Sequence, residues 1–294
     1  MKKSNSQSVD LIQIREDIIA AMFSDEQLVN QFVLKGGNAL NLVHQLPGRT
    51  SLDIDLSIPG DFAADELQDV EDRIFNGLRA QFTSRGLSVI DGKFVPKPKQ
   101  AHLGQDPTWG GYTVEFKLVK SELLGQIADD EHAVRMAAIE VEPSGSRKFM
   151  VDISKYEYCD PKIPYELNGS VIYVYSLPMV AIEKLRALCQ QLPQYEPRGY
   201  STPRARDFYD IYRIVKERGV DLCRANNLAL FRPIFAAKQV PLSFLSAIVG
   251  ERETHRPDWP SVMNASTESD LQDYDFYFDF VISLIQKLQA LGIK

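Results

Sequence analysis

The chain has 294 residues, of which 44% are hydrophobic and 25% are charged, and its net charge at pH 7 is −7. These values are ordinary for a globular protein, and a chain of this length can bury a large core as one domain or two. The negative charge argues against a protein that wraps nucleic acid by charge alone, although it permits a local basic patch.

The N-terminal residues are polar and lack the apolar segment of a signal peptide, and no apolar stretch reaches the length of a membrane span. The three cysteines have no paired spacing, which favours reduced thiols, and the four histidines form no metal-ligand pattern. The sequence therefore predicts a cytoplasmic protein that does not associate with membranes.

Along the chain, hydrophobic periodicity first predicts a helix over 8–30, a strand over 31–35, a helix over 38–46 and a strand over 51–57. The first strand ends at Gly36-Gly37, where backbone can approach a polyanion closely and the N–H groups of the next helix favour phosphate. No Lys-Ser or Lys-Thr pair follows these glycines, so the segment is not a P-loop.

The strand over 51–57 contains Asp53 and Asp55, which project from one face of the strand while the apolar residues between them face the core. Adjacent carboxylates repel each other unless a cation lies between them, and Mg²⁺ prefers such hard oxygen ligands. Taken alone, the glycines could form an ordinary turn and the aspartates could face solvent. The combination of strand, double glycine, helix and Asp-x-Asp favours chemistry on a nucleoside triphosphate.

The next elements are a helix over 62–84, strands over 87–95, 111–119 and 136–142, a helix over 121–135 and a strand over 148–154. In the last strand Asp152 points away from the apolar face, and burying it would be costly unless it is paired or bound to metal. It could simply face solvent. Beside Asp-x-Asp on a neighbouring strand, we interpret it as a third carboxylate at a metal site.

From Ser176 onward the pattern is helical, which predicts a domain boundary near residue 175 and two domains, 1–175 and 176–294. The predicted fold class is α/β (α+β): a mixed sheet flanked by helices, with the nucleotide site at its edge and an all-helical C-terminal domain over it. A basic segment precedes one of these helices and contains Arg198, Arg204 and Arg206.

The motifs Lys35-Gly36-Gly37-Asn38-Ala39-Leu40 and Arg49 through Leu56 resemble the AbiEii/AbiGii-type nucleotidyltransferases, toxins of type IV toxin–antitoxin and abortive infection systems. The resemblance extends over about 20–216. Its C-terminal part is a family pattern of a Lys on one helix and an Arg-Asp-x-x-Asp signature on the next, and Lys184 and Arg206–Asp210 match this pattern. The family usually has Thr at the position of Asn38.

This resemblance implies a nucleotidyltransferase-like fold and a magnesium-dependent transfer of a nucleoside monophosphate from an NTP to an acceptor hydroxyl. The residues to which it assigns roles are Lys35, Gly36, Gly37, Asn38 and Ser51 for the nucleotide, Asp53, Asp55 and Asp152 for the metal, and Asp53, Asp55, Lys184 and Asp207 for catalysis. Lys184 and Asp207 could alternatively form a structural ion pair between helices.

The resemblance further implies a toxin that blocks translation, whose acceptor is RNA, specifically the 3′ end of tRNA, and whose partner is a cognate antitoxin. Arg198, Arg204 and Arg206 would suit an RNA acceptor stem. Two alternatives remain open at this point: nucleotidylation of a protein side chain, and a protein that binds NTP or a partner without catalysis. The intact Asp53/Asp55 pair argues against the second alternative.

Overall fold

In the computed structural model, the described residues are 10–46, 53–98, 109–141, 145–196, 201–266 and 270–294. They contain one mixed sheet of seven strands in the order β3-β4-β5-β2-β1-β7-β6. The strands are β1 (Val33–Lys35), β2 (Ile54–Ser57), β3 (Leu87–Lys97), β4 (Gly111–Lys120), β5 (Phe149–Ser154), β6 (Lys162–Leu167) and β7 (Ser170–Tyr175).

Helices cover the sheet and form nearly all of the described chain after β7. The α-helices are α1 (Leu11–Met22), α2 (Gly36–Asn38), α3 (Leu67–Thr83), α4 (Ser121–Ile127), α5 (Glu131–Met136), α6 (Leu177–Cys189), α7 (Ala205–Lys216), α8 (Ala225–Ala236), α9 (Arg252–His255), α10 (Trp259–Ala265) and α11 (Tyr274–Ala290). A π-helix over Ala39–Val43 continues α2, and 3₁₀-helices cover Leu242–Gly250 and Arg256–Asp258. None of the helices in the described ranges is long and apolar enough to cross a membrane.

The centre of the sheet brings the predicted carboxylates together. Strand β2 runs parallel to β5, with Asp55 paired to Asp152, and antiparallel to β1, with Asp55 paired to Lys35. Paired residues on neighbouring strands project from the same face of a sheet. Asp55, Asp152 and Lys35 therefore lie side by side, which confirms the expected convergence of the two strands.

Two apolar cores hold these elements. One lies between the sheet and helices α1 and α3, where Ile18, Leu56 and Ile74 are almost fully buried. The other is built mainly by helices α6 to α11, but it includes Val33 and Tyr175 from the sheet. The helical half thus packs directly on the sheet, and the division at residue 175 stays a prediction.

The predicted start of the second helical region is confirmed. The Ser176 hydroxyl accepts a hydrogen bond from the Met179 N–H at 3.4 Å, and Pro178 lies in the first turn of α6, where a missing N–H costs nothing. The first helix is shorter than predicted: α1 ends at Met22, and Asp25 then accepts hydrogen bonds from two following backbone N–H groups in a turn.

One prediction about the sheet is wrong, and one pair of strands was not predicted. The described residues of the predicted strand over 136–142, which are 136–141, do not form a strand, because α5 runs to Met136 and the next residues make only isolated backbone bonds, such as Ile139 N–H to Leu118 C=O. The β6–β7 hairpin was not predicted at all. Its turn, Asn168-Gly169, has positive φ at both residues, and Asn-Gly is a strong hairpin signal.

Candidate functional site

A cleft of about 670 Å³ lies between the central strands and helices α6 and α7. It is lined from the sheet by the β1–α2 turn, β2 and β5, and from the helical half by α6 and the start of α7. The predicted site residues that line it are Lys35, Gly36, Gly37, Asp53, Asp55, Asp152, Lys184, Arg204, Arg206 and Asp207. Ser51 and Arg198 lie outside the described residues.

The pKa of Asp55 is raised, whereas the pKa values of Glu157 and Asp207 in the same cleft are lowered. Burial raises the pKa of Asp55 to about 6, and the negative charges of Glu183, Asp152 and Asp53 act in the same direction, whereas Lys35 opposes them. A buried carboxylate among other carboxylates has an unfavourable electrostatic free energy when it is ionised. A cation bound beside Asp55 would remove that cost.

Gly36 gives the Asp55 carboxylate its space. Its φ is +68°, a conformation that favours glycine, and a Cβ at this position would lie 2.5 Å from Asp55 Oδ2. Any side chain here would displace the carboxylate. The glycine predicted to approach phosphate is therefore also the residue that makes room for the aspartate.

Two of the residues predicted to bind nucleotide use their side chains inside the protein. The Asn38 side chain is fully buried and donates a hydrogen bond to the Asp53 carbonyl at 2.6 Å, so it supports the backbone at the aspartate pair. The Lys35 ammonium lies 3.0 Å from Glu183 and 3.3 Å from Glu157. Other cations that line the cleft are therefore better positioned than Lys35 to contact a nucleotide with their side chains.

Asp152 is engaged on both oxygens. Its Oδ2 lies 2.6 Å from the Lys97 ammonium, and its Oδ1 accepts a hydrogen bond from the Thr113 hydroxyl at 2.8 Å. Within the described ranges, no three His, Cys, Asp or Glu side chains are arranged to hold a metal ion. The Asp53/Asp55 pair is thus the better candidate for cation binding, with Asp152 as its neighbour.

On the helical wall, Lys184 of α6 contacts two carboxylates of α7, Asp207 and Asp210, each at 2.8 Å. Arg204 also pairs with Asp207. Although burial alone would raise it, the pKa of Asp207 is held well below its ordinary value by Arg204 and Lys184. The predicted Lys184–Asp207 contact thus exists, and it ties α6 to α7 at the cleft.

A buried ionic cluster forms the floor of the cleft, and the sequence reasoning missed most of it. Glu157 contacts Arg186 at 2.7 Å, Lys35 at 3.3 Å and Lys238 at 3.7 Å, and Lys35 and Arg186 also contact Glu183. Three cations thus face two carboxylates. This excess of positive charge at the base of the cleft suits an anionic substrate.

The sequence held only a partial signal for this cluster. Glu183 and Arg186 are spaced by three on α6, whose other residues are apolar except for Lys184, and this spacing indicates an ion pair on one face of the helix. Lys238 follows the end of α8 and has no such signal. Burial and the nearby charges of Lys35 and Arg186 lower its pKa to about 8, although Glu157 opposes them.

The basic residues predicted to contact the acceptor differ in availability. Arg204 is committed to Asp207, as described above. Arg206 lines the cleft with 42% of its side chain exposed, donates from Nε to the Ser261 hydroxyl at 2.9 Å and lies 3.9 Å from Asp258. Arg206 therefore presents the more accessible cation to a ligand at the cleft entrance.

Comparison with known proteins was made for the family, for curated proteins and for solved structures. A family model described as nucleotidyl transferase AbiEii toxin, type IV toxin–antitoxin system, matches residues 17–280. No curated protein matches the chain.

Solved structures are similar to the chain at low sequence identity. JHP933 from Helicobacter pylori is 13% identical, with 97% of this chain and 93% of that chain covered and a TM-score of 0.44. A nucleotidyltransferase-like antigen from Paracoccidioides brasiliensis is 15% identical over 86% and 93%, with a TM-score of 0.39. MenT4, a nucleotidyltransferase toxin from Mycobacterium tuberculosis, is 14% identical over 96% and 92%, with a TM-score of 0.34.

Proposed function

The chain belongs to the AbiEii family of nucleotidyl transferase toxins, and we propose that it moves a nucleoside monophosphate from an NTP to an acceptor hydroxyl on RNA, with magnesium bound at Asp53 and Asp55. Membership of the family makes the protein a nucleotidyltransferase with an NTP as substrate, and it implies an antitoxin as partner. The observation that carries the finer proposal is the partly buried Asp55 carboxylate, whose pKa is raised and which is flanked by other carboxylates and by Gly36 in one cleft.

The residues at this position fit a magnesium ion. Carboxylate oxygens are the ligands that magnesium prefers, and a cation would neutralise the negative charge that raises the pKa of Asp55. Asp53 and Asp55 would hold the ion, and Asp152 lies beside them in register. When bound, magnesium would neutralise triphosphate charge and polarise the attacking hydroxyl.

The protein's own groups would position the reactants, since nucleotidyl transfer depends mainly on alignment and charge neutralisation. The turn at Gly36-Gly37 allows backbone to approach the triphosphate, and the positive floor of the cleft offsets its charge. Lys184 lies in the opposite wall, where Asp207 and Asp210 hold its ammonium in place. No side-chain nucleophile is needed for this reaction.

RNA is the proposed acceptor because Arg206 offers an accessible cation at the cleft entrance, beside the more confined Arg204. Transfer to a tRNA 3′ end would stop aminoacylation and so block translation. The direct test is incubation with each labelled NTP, magnesium and either total RNA or total protein, with an Asp55→Asn variant as control. Label in RNA supports the proposal, and label only in protein would replace RNA with a protein acceptor.

Lys184 provides a test of the helical wall. We expect Lys184→Ala to reduce transfer by at least about 10-fold, because it leaves two buried carboxylates without their shared cation. Lys120→Ala, an exposed lysine at the end of β4, is the matched control. A Lys184→Ala/Asp207→Ala double variant should lose less activity than the product of the two single losses if the pair acts as a unit. Strictly multiplicative losses would contradict this coupling.

Arg206 provides a test of the RNA acceptor. A lost phosphate contact reduces counterion release, so we expect Arg206→Ala to raise the KM for RNA and to lower the log–log salt slope by about one unit. The KM for NTP should stay nearly constant. Arg224, which is exposed and lies outside the cleft, is the control, and Arg224→Ala should leave the slope unchanged. Initial rates against RNA concentration at several salt concentrations give both quantities; an unchanged slope in Arg206→Ala would remove Arg206 from the acceptor site.

A further inference from the structure

Trp109 precedes β4 at the edge of the cleft and is half-buried there. The cleft has one other aromatic lining residue among those described, Tyr112, and that ring is already used. Tyr112 is buried, stacks on Phe94 with 4.8 Å between ring centroids, and donates its hydroxyl hydrogen to Asp61. Within the described part of the chain, Trp109 is therefore the aromatic surface that a ligand in the cleft can reach.

The two glycines after Trp109 lie against the backbone of the neighbouring strands. A Cβ on Gly110, whose φ is +102°, would lie 2.3 Å from the Lys97 carbonyl oxygen, and a Cβ on Gly111 would lie 1.8 Å from the Ile153 carbonyl oxygen. Both glycines thus allow β4 to begin in direct backbone contact with β3 and β5. The Gly110 carbonyl also accepts a hydrogen bond from the Lys155 N–H at 3.2 Å.

The strand register places Trp109 along the cleft from the carboxylates. Thr113 pairs with Asp152 and Gly111 pairs with Ser154, so β4 begins two residues beyond the level of Asp152, and Trp109 precedes that end of the strand. Lys35 pairs with Asp55, and Gly36-Gly37 follows Lys35 at the end of β1, on the side of the carboxylates that faces away from Trp109. The glycines, the carboxylates and Trp109 therefore follow one another along the cleft. In an extended NTP, the β- and γ-phosphates, the α-phosphate and the base follow one another in the same order.

We propose that Trp109 is a stacking surface for a nucleobase bound in the cleft, the base of the incoming NTP. The inference rests on the proposed function, since it assigns the phosphates of the same ligand to the glycine and carboxylate end. Stacking on an indole face is tolerant of base identity, so Trp109 would contribute affinity for NTPs in general more than selection among them. Trp109→Leu is expected to raise the KM for NTP roughly 5- to 100-fold, the effect of losing one stacked base.

The chain has two tryptophans, so a Trp259→Phe variant makes Trp109 the single tryptophan reporter. Trp259 can be replaced without changing the lining of the cleft, because it packs on Tyr274 and Tyr277 in the helical core and does not line the cleft. In this variant, each NTP with magnesium should quench the fluorescence in a saturable way. Inorganic triphosphate, which has no base, should compete with NTP without quenching.

The same reagents separate failure of this inference from failure of the proposed function. Trp109→Leu should weaken NTP binding while the inhibition constant of inorganic triphosphate stays unchanged, and Trp109→Phe should recover most of the affinity. NTP binding without quenching, together with a normal KM in Trp109→Leu, would overturn the inference and leave the phosphate site intact. If neither NTP nor inorganic triphosphate binds, the proposed function fails and the inference with it.

A short single-stranded RNA, titrated without NTP, identifies the source of the base. If the RNA quenches Trp109 and NTPs do not, the stacking surface serves the acceptor nucleotide, and the assignment to the NTP is overturned. If NTPs quench at concentrations near their KM and the RNA has no effect, the assignment to the NTP is supported.

Discussion

Asp55→Asn is expected to abolish nucleotidyl transfer while raising the stability of the folded protein at neutral pH. Loss of a group that hydrogen-bonds to a metal ligand already costs about 10- to 100-fold, so removing the charge of a proposed ligand should cost at least about 100-fold. Stability should rise because Asp55 is partly buried beside other carboxylates, and ionising it in the fold is unfavourable. Label transfer and thermal unfolding, measured on the same preparation, should therefore change in opposite directions.

The pH dependence of this gain in stability follows from the direction in which the fold shifts the pKa of Asp55. The pKa of Asp55 is raised in the fold from 3.8 to about 6, so the unfolded chain releases this proton first and the carboxyl destabilises the fold increasingly between pH 4 and pH 6. Above pH 6 the cost is complete, about 3 kcal/mol from the size of the shift. In metal-free buffer, the stability gained by Asp55→Asn should be absent below pH 4 and largest above pH 6.

Asp61→Asn is the control of opposite sign. Lys155 and Tyr112 hold the pKa of Asp61 below its ordinary value despite partial burial, so its charge stabilises the fold above pH 4 and this substitution should lower stability there.

Adding magnesium should stabilise the wild type more than Asp55→Asn, because the variant has lost a ligand. Transfer activity in Asp55→Asn close to that of the wild type would falsify the metal-site proposal.

Glu157→Gln is expected to produce the largest loss of stability, about 3–5 kcal/mol in the free energy of unfolding. Glu157 is nearly inaccessible to solvent and faces Lys35, Arg186 and Lys238, so the substitution leaves three cations with one carboxylate, Glu183. Although burial opposes ionisation, these cations hold the pKa of Glu157 well below its ordinary value. Its contribution to stability is therefore present at neutral pH and is lost as the solution becomes acidic.

Urea unfolding at pH 7 measures this effect. Glu166→Gln, a substitution at an exposed position of β6, is the matched control and should change stability by less than about 0.5 kcal/mol. Removing one cation as well should restore part of the loss, so the Glu157→Gln/Lys238→Met double variant should be more stable than Glu157→Gln alone. A loss below about 1 kcal/mol in Glu157→Gln would show that the buried ionic cluster does not stabilise the packing of the helical half on the sheet.

Local pattern was enough to predict which face of the sheet carries the aspartates of the cleft. The alternation of a β-strand has a period of two residues, so Asp53 and Asp55 had to share a face, and the apolar residues around Asp152 showed that it left the core. Helical spacing and the Ser176 cap located the start of α6. The prediction of a strand over 136–142 was wrong because a short apolar segment does not by itself reveal whether a neighbouring strand will pair with it.

Apart from the Glu183–Arg186 pair, the partners of the buried charged side chains followed from no local pattern. Lys35 contacts a glutamate 148 residues away, and the carbonyl that accepts from Lys238 is 83 residues away, so these contacts depend on how α6 and α8 pack on the sheet. Whether Asn38 would face the ligand or the interior was equally undetermined by its position after the glycines.

The sequence by itself determined the order of the central elements, the common face of the paired aspartates and the family to which the chain belongs, because these depend on residue spacing within single segments. Only the tertiary structure decided that Asp55 lies against Gly36, that Lys97 and Thr113 engage Asp152, and that Glu157 joins three cations under the cleft. Burial and ion pairing are properties of the whole packed chain, since each requires atoms from strands and helices that are distant in sequence.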